Sequence, residues 1–109
     1  MTGFARQKIR ETARYIQSEF GKRYRDDFLY KVQETRQYLA TNPNLGSMEP
    51  LLSNRPTAYR SVVITKLNKM VHYINDTEDI IYIVDFWDTR REPNAQAAEV
   101  KWTGYNIEM

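Results

Sequence analysis

Paired arginines near the end of the last strand-like segment are the first candidates for chemistry. Arg90 and Arg91 are adjacent in the chain, and guanidinium groups bind phosphate through bidentate hydrogen bonds. The alternative is an ion-pair cluster, because Asp85, Asp88 and Glu92 stand within a few positions of the pair. The sequence therefore indicates either an anion clamp or a local charge network.

Three further sets of residues could do chemistry. His72 is the sole histidine and could act as a general base near neutral pH, but its place in a strand favours a partly buried structural histidine. Tyr82 and Trp87 could stack on nucleotide bases if exposed, although core packing is the expected role. Asp85 and Asp88 are not expected to bind a metal, because residues three apart on an extended chain point to opposite faces.

Composition limits the protein classes that fit this chain. Its 109 residues suffice for one compact domain. The absence of cysteine excludes disulfides and thiolate metal sites. No apolar run approaches the roughly 20 residues of a membrane span, and the amino end lacks the apolar core of a secretion signal. We therefore expect a cytoplasmic protein without metal or cofactor.

Charge is unevenly distributed along the chain. Residues 1–75 hold 13 Lys and Arg against 6 Asp and Glu, whereas residues 76–109 hold 3 against 8. A basic front suits a polyanion or an acidic protein partner. The alternative is a set of helix faces that Lys and Arg simply keep solvated.

The first 40 residues have helical spacing. Residues suited to a buried face recur every three or four positions in two stretches, first Ile9, Ala13, Ile16 and Phe20, then Tyr24, Phe28, Val32, Thr35 and Leu39. Gly21 separates the two stretches, and the turn residues of 42–46 end the second. Two helices with so short a connection are expected to form an antiparallel hairpin.

Strand-like spacing follows a loop. Residues 42–57 hold three of the four prolines and are predicted to be loop. Strands are predicted at 59–67, 70–75 and 80–87, with turns at Asn68-Lys69 and 75–79. The last strand is expected to be central, because its first half is apolar on both faces. Short connections predict an antiparallel meander, and the fold class is α+β, a helical hairpin on one face of the sheet.

The tail, residues 94–109, is a separate segment from the predicted domain at 1–93. Residues 95–100 are compatible with a short helix that starts near Pro93. Trp102, Tyr105 and Ile107 are too apolar for a free tail, so they are expected to dock on the domain or on a partner.

A resemblance to a known family appears in the order of these landmarks. The helical part carries Tyr15-Ile16, Phe20-Gly21, Phe28, Val32, Leu39, Asn42-Pro43 and Gly46, and is similar to the ParE-like helical hairpin. The strand part carries Tyr59-Arg60, the segment from Lys69 to Tyr73, the segment from Ile80 to Phe86, and Arg90-Arg91-Glu92-Pro93. Over residues 4–93 the chain thus resembles the RelE/ParE toxin superfamily of plasmid-stabilisation type.

The resemblance implies a toxin of a type II toxin–antitoxin pair. RelE-like members cut messenger RNA in the ribosomal A site, ParE-like members poison DNA gyrase, and a small antitoxin wraps and neutralises each. The family normally opens with a β-strand that ends in a Trp-Thr-like dipeptide, whereas this chain begins at that junction with residues 1–5. We therefore expect most of the first strand to be missing and a sheet edge to be unpaired.

The catalytic positions of RelE-like toxins fall on cations of this chain. Cleavage by the 2′-hydroxyl needs a base, an acid and cations around the phosphate. The resemblance assigns the cationic positions to Arg60, Lys69 and Arg90, and Arg91 joins them as a target-binding candidate. The C-terminal tyrosine of the family falls on Gln96, which can serve as neither acid nor base. Tyr73 or Tyr105 would have to substitute.

Three hypotheses therefore stay open. A ParE-like toxin that binds a target such as gyrase follows from the long hairpin and the missing tyrosine. A RelE-like ribosome-dependent endoribonuclease follows from Arg60, Lys69 and Arg90. A non-toxic antitoxin-binding module follows from the incomplete first strand.

The antitoxin is the partner that all three hypotheses share. We expect an acidic or amphipathic segment of it across the hairpin or the basic sheet face. Arg60 and Lys69, on neighbouring strands, are predicted to face the same side and to be covered by it. The alternative is that both are plain surface cations.

Overall fold

Two helices pack on an antiparallel sheet. The computed structural model describes residues 1–89, 97 and 100. Its helices are α1 (Gly3–Phe20) and α2 (Lys22–Thr41), and its strands are β1 (Ser47–Met48), β2 (Arg60–Thr65), β3 (Asn68–Asn75) and β4 (Ile80–Asp88), with a 3₁₀ turn at Pro50–Leu52. The predicted α+β class is confirmed. Among the described residues, neither helix has the apolar length that a bilayer span requires.

Local signals in the sequence delimit the helical hairpin. The Thr2 hydroxyl accepts a hydrogen bond from the Ala5 amide at 3.1 Å and caps α1. Gly21 alone joins the two helices with φ of 101°, a conformation that suits glycine. At the other end, the Asn42 amide bonds the Tyr38 carbonyl at 2.8 Å, and Pro43 follows. The helix boundaries predicted at Gly21 and at 42–46 are confirmed.

The turn between β2 and β3 lies two residues before its predicted position. Asn68 and Lys69 belong to β3, so the predicted turn at Asn68-Lys69 is wrong. The Thr65 hydroxyl accepts a hydrogen bond from the Leu67 amide at 3.1 Å and donates one to the Asn68 side-chain oxygen at 3.0 Å. These bonds reverse the chain at Lys66-Leu67 and leave Lys69 as a strand residue.

β4 lies at the edge of the sheet, so its predicted central position is wrong. The strand order is β1-β2-β3-β4 over the described residues, and every neighbouring pair is antiparallel. β4 is nonetheless apolar on both faces, because α1 covers one face and a second cluster covers the other. Thr2 touches the outer edge of β4, where its amide donates to the Ile83 carbonyl at 2.9 Å.

A short strand interrupts the predicted loop at 42–57. β1 pairs with β2 through Ser47 opposite Ser61 and Met48 opposite Arg60. This close approach requires Gly46, which has φ of 84°, and a Cβ there would lie 2.1 Å from the Ser61 carbonyl oxygen. The sequence contained the glycine, but the partner that makes it necessary is distant in the chain.

Two apolar clusters lie on opposite faces of the sheet. The first joins the hairpin to the sheet and contains Ala5, Ile9, Ala13, Phe28, Val32, Leu39, Ile64, Met70, Ile83 and Phe86. The second contains Leu52, Tyr59, Val71, Tyr73, Val84, Trp87 and Val100. β3 contributes to both, because its alternate residues point to opposite faces.

Candidate functional site

Arg60 lies on the helix-facing side of the sheet, at the start of β2. It stands opposite His72 in the register. Its Nη1 donates long hydrogen bonds to the carbonyl oxygens of Asn44 at 3.3 Å and Gly46 at 3.4 Å. The guanidinium therefore holds the segment that follows α2 against the sheet.

His72 is a structural residue. It is fully buried, its Nε2 lies 3.3 Å from the Pro43 carbonyl oxygen, and its Nδ1 has no hydrogen-bond partner in the described part of the chain. Burial lowers the pKa of His72, and the positive charge of Arg60 lowers it further, although the bond to Pro43 opposes the shift. The predicted structural role of His72 is confirmed, although the imidazole is fully buried rather than partly buried as expected, and its lowered pKa favours the neutral form.

Lys69 is paired with a buried carboxylate. Its Nζ donates to Oε1 of Glu49, and the ammonium lies 5.2 Å from the centre of the Trp87 ring. Glu49 also accepts hydrogen bonds of 3.0 Å from the Ser61 hydroxyl and from the Leu51 amide. Burial alone would raise the pKa of Glu49, but these donors and the Lys69 charge outweigh it and lower the pKa.

Arg60 and Lys69 lie on opposite faces of the sheet, so the prediction that they share a face is wrong. In the register, Arg60 pairs with His72 and Lys69 pairs with Val63. Positions 60 and 63 of one regular strand point to opposite sides. The prediction treats Lys69 as a turn residue, whereas it is a β3 residue whose side chain points to the face opposite the helices.

Asp85 forms a second buried ion pair, with Lys8. Lys8 Nζ donates to Oδ1 of Asp85 at 2.7 Å, and the carboxylate accepts further bonds of 2.7 Å from the Phe86 amide and from the Trp87 indole. A bulge at Val84 shifts the register between β3 and β4 beside Asp85. Burial raises the pKa of Asp85, although Lys8, Trp87 and Phe86 oppose the shift.

Neither buried ion pair, Lys8 with Asp85 or Lys69 with Glu49, was predicted from the sequence. Lys8 is 77 positions from Asp85, and Glu49 is 20 positions from Lys69. The one available signal was Asp85 itself, because an aspartate inside an apolar strand requires a partner. Arg90 and Arg91, the alternative partners predicted for Asp85, lie outside the described residues.

The aromatic candidates are mostly core residues. Trp87 has no exposed surface, which confirms its packing role. Tyr82 stacks on Tyr73 with ring centres 5.3 Å apart, and Tyr73 is 2% exposed. A tyrosine so buried cannot approach a substrate as a proton donor, which removes Tyr73 as the substitute for the family tyrosine. Gln96 and Tyr105, with the rest of the tail except residues 97 and 100, lie outside the described part.

A surface recess lies at the hairpin tip. It has a volume of about 660 Å³ between the hairpin and the β2–β3 turn; we call it the tip groove, and its lining includes Tyr15, Ile16, Phe20, Tyr24, Phe28, Lys31 and Leu67. Phe20 and Tyr24 belong to the helix faces that the spacing predicts, but each is 61% exposed. Their rings, 6.1 Å apart, form one aromatic patch. Exposed aromatic surface of this kind marks protein interaction sites.

Comparison of the chain with protein-family profiles, curated proteins and solved structures finds no match in any of the three. Across the described residues, no three His, Asp or Glu side chains are grouped as a metal site would need.

Proposed function

We propose that this chain is a ParE-like toxin of a type II toxin–antitoxin system, which arrests growth by binding an essential target such as DNA gyrase and is neutralised by an antitoxin. The arrangement of a helical hairpin on an antiparallel sheet is the one that the family resemblance implies. The choice of target binding over RNA cleavage depends on the placement of the cations.

The observation that carries the proposal is the separation of Arg60 and Lys69. A nuclease of this family needs several cations around one phosphate. Here the two described cations lie on opposite faces, and the Lys69 ammonium is already engaged by Glu49. One phosphate cannot contact both side chains, so the RelE-like alternative lacks the convergence that its chemistry requires.

The tip groove supports target binding. Its exposed Phe20 and Tyr24 offer large apolar surface, and aromatic side chains dominate the binding energy of protein interfaces. A protein target of the toxin would dock there, beside the charged side chains of Asp27 and Lys31.

Inducible expression in a bacterial host, together with two assays on purified protein, tests the proposal. We expect growth arrest, inhibition of gyrase-catalysed supercoiling of relaxed plasmid, and intact message in a cell-free translation extract read by primer extension. Phe20→Ala with Tyr24→Ala should abolish arrest. The matched control, Tyr30→Ala with Tyr38→Ala, removes two exposed α2 tyrosines outside the groove and should leave arrest unchanged.

The nuclease alternative has its own variants. Arg60→Gln removes one cation, and Glu49→Gln with Lys69→Gln removes a charge pair without leaving a buried carboxylate unpaired. We expect arrest by both proteins to persist. Codon-phased message cleavage that either variant abolishes would replace the proposal with a ribosome-dependent nuclease. Expression without any effect on growth would instead favour a non-toxic antitoxin-binding module.

A further inference from the structure

A second groove runs along the seam between the two helices. It has a volume of about 330 Å³ and is lined by Met1, Arg6, Ile9, Arg10, Leu29, Val32, Gln33 and Arg36. We call Arg6 and Arg10 of α1, together with Arg36 of α2, the arginine seam. All three side chains are exposed, and the groove lining contains no carboxylate.

The arginine seam is electrostatically uncompensated. Within the described residues none of the three forms an ion pair, and Arg36 has only a 3.5 Å hydrogen bond to the Gln33 side chain. Arg6 and Arg10 are one helical turn apart, where like charges destabilise a helix. Elsewhere on α2, Arg25 is paired with Asp26 at 2.8 Å. An anionic ligand would relieve the repulsion in the seam.

The groove floor indicates what kind of anion fits. Ile9 and Val32 form its buried base, and Leu29 is 39% exposed beside them. No aromatic ring lines the groove, so it lacks the stacking platform of single-stranded nucleic acid sites. Guanidinium groups over an aliphatic floor suit carboxylates and an aliphatic side chain presented by one peptide.

We propose that the arginine seam binds an acidic segment of a protein partner, with carboxylates on the guanidinium groups and an aliphatic side chain against Leu29. The proposed site is argued from the charge and shape of the groove, and it does not depend on whether the chain arrests growth or binds gyrase. It rests on the proposed function only in naming that partner as the antitoxin. The seam also replaces Arg60 and Lys69 as the expected antitoxin contact.

Fluorescence anisotropy with synthetic probes tests the site on the full chain. The probe is a labelled peptide of repeating Glu-Glu-Leu triplets, compared with a Gln-Gln-Leu peptide and a labelled single-stranded oligothymidine. The seam variant is Arg6→Gln, Arg10→Gln and Arg36→Gln. Its matched control, Lys22→Gln, Arg23→Gln and Lys66→Gln, removes the same charge from exposed positions outside both grooves.

We expect the native chain and the control variant to bind the acidic peptide, and the seam variant to bind it at least about tenfold more weakly. Binding should weaken as salt is raised, and the Gln-Gln-Leu peptide should not bind. Leu29→Ser should also weaken binding of the acidic peptide. Amide shifts in nuclear magnetic resonance spectra should cluster at residues 6–10 and 29–36.

Three results would overturn the site. If both charge variants lose peptide affinity equally, binding depends on net charge and not on the arginine seam. If the seam binds the oligothymidine more tightly than the acidic peptide, it is a nucleic-acid site. If the native chain self-associates in sedimentation and the seam variant does not, the seam is a contact between copies of the chain. Because the removed arginines repel each other, the seam variant should melt no lower than the native chain. If the seam variant does not fold, Arg10→Gln replaces it, and we expect that single variant to bind the acidic peptide about threefold more weakly than the native chain. Peptide binding without growth arrest would support the site and contradict the proposed function.

Discussion

Glu49 and Asp85 are two buried carboxylates whose pKa values shift in opposite directions. Each accepts a hydrogen bond from a lysine ammonium, a backbone amide and one further donor, with Lys69, Leu51 and Ser61 around Glu49 and Lys8, Phe86 and Trp87 around Asp85. Yet the pKa of Glu49 is lowered and that of Asp85 is raised.

The balance between desolvation and the donors explains the difference, because the two donor sets are equal in number. Asp85 sits inside β4 between the apolar clusters on both sheet faces, where loss of hydration outweighs its partners. Glu49 lies just before the 3₁₀ turn, where its donors outweigh burial. The number of hydrogen bonds does not predict the direction in which the pKa of a buried acid shifts; the surroundings must be compared too.

The largest effect is expected from Lys8→Met. The substitution leaves Asp85, which is 0% exposed, without its ammonium partner. Breaking a buried pair in this way should lower the free energy of unfolding by about 3 kcal/mol at neutral pH, measured by urea denaturation. Lys22→Met, at an exposed position of α2, should change it by less than about 0.5 kcal/mol. Equal effects of the two substitutions would mean that Asp85 is already protonated.

Lys69→Met should have a smaller effect, about 2 kcal/mol by the same measurement. Glu49 keeps its bonds to the Ser61 hydroxyl and the Leu51 amide, and its environment penalises the charge less than that of Asp85. A loss greater than that of Lys8→Met would reverse the comparison between the two carboxylates.

Ser61→Ala removes one donor from Glu49 and keeps the ammonium in place. We expect a loss of about 1 kcal/mol in the free energy of unfolding, the usual contribution of one hydrogen bond. Ser18→Ala is the control, because Ser18 is exposed on α1 and alanine there should be neutral or slightly stabilising. A Ser61 variant as stable as the control would show that the Ser61 hydroxyl adds nothing to what Lys69 and the Leu51 amide provide for Glu49.

The subtlest expected effect is an opposite pH dependence of the two carboxylates. With its pKa lowered from 4.5, Glu49 stabilises the fold above that pH and loses this contribution as the pH falls through its native pKa. The pKa of Asp85 is raised from 3.8, so this carboxyl binds more protons in the folded state than in the unfolded state. Its contribution to stability therefore falls as the pH rises from about 3.8 through its native pKa.

Unfolding of Glu49→Gln and Asp85→Asn across the acid range measures this difference. Relative to the native chain, Glu49→Gln should flatten the gain in stability with rising pH, whereas Asp85→Asn should steepen it. A change of slope in the same direction for both variants would contradict the assignment.

Much of the fold could be predicted from local pattern. The helical spacing around Ile9 and Val32, the break at Gly21 and the β-branched run of β2 all depend on near neighbours in the chain. The same reasoning failed for Phe20 and Tyr24, because helical periodicity identifies a face but not how far the sheet beneath it extends. It also failed for Lys69, because the turn lies two residues earlier than predicted. Lys69 is therefore a strand residue, and its side chain contacts Glu49.

The α+β class, the hairpin and the need of Asp85 for a partner all follow from local patterns in the chain. The edge position of β4, the opposite faces of Arg60 and Lys69, and the Lys8–Asp85 and Lys69–Glu49 ion pairs depend on contacts between distant segments. Periodicity and turn chemistry act over a few residues, whereas register and burial depend on which segments meet in space.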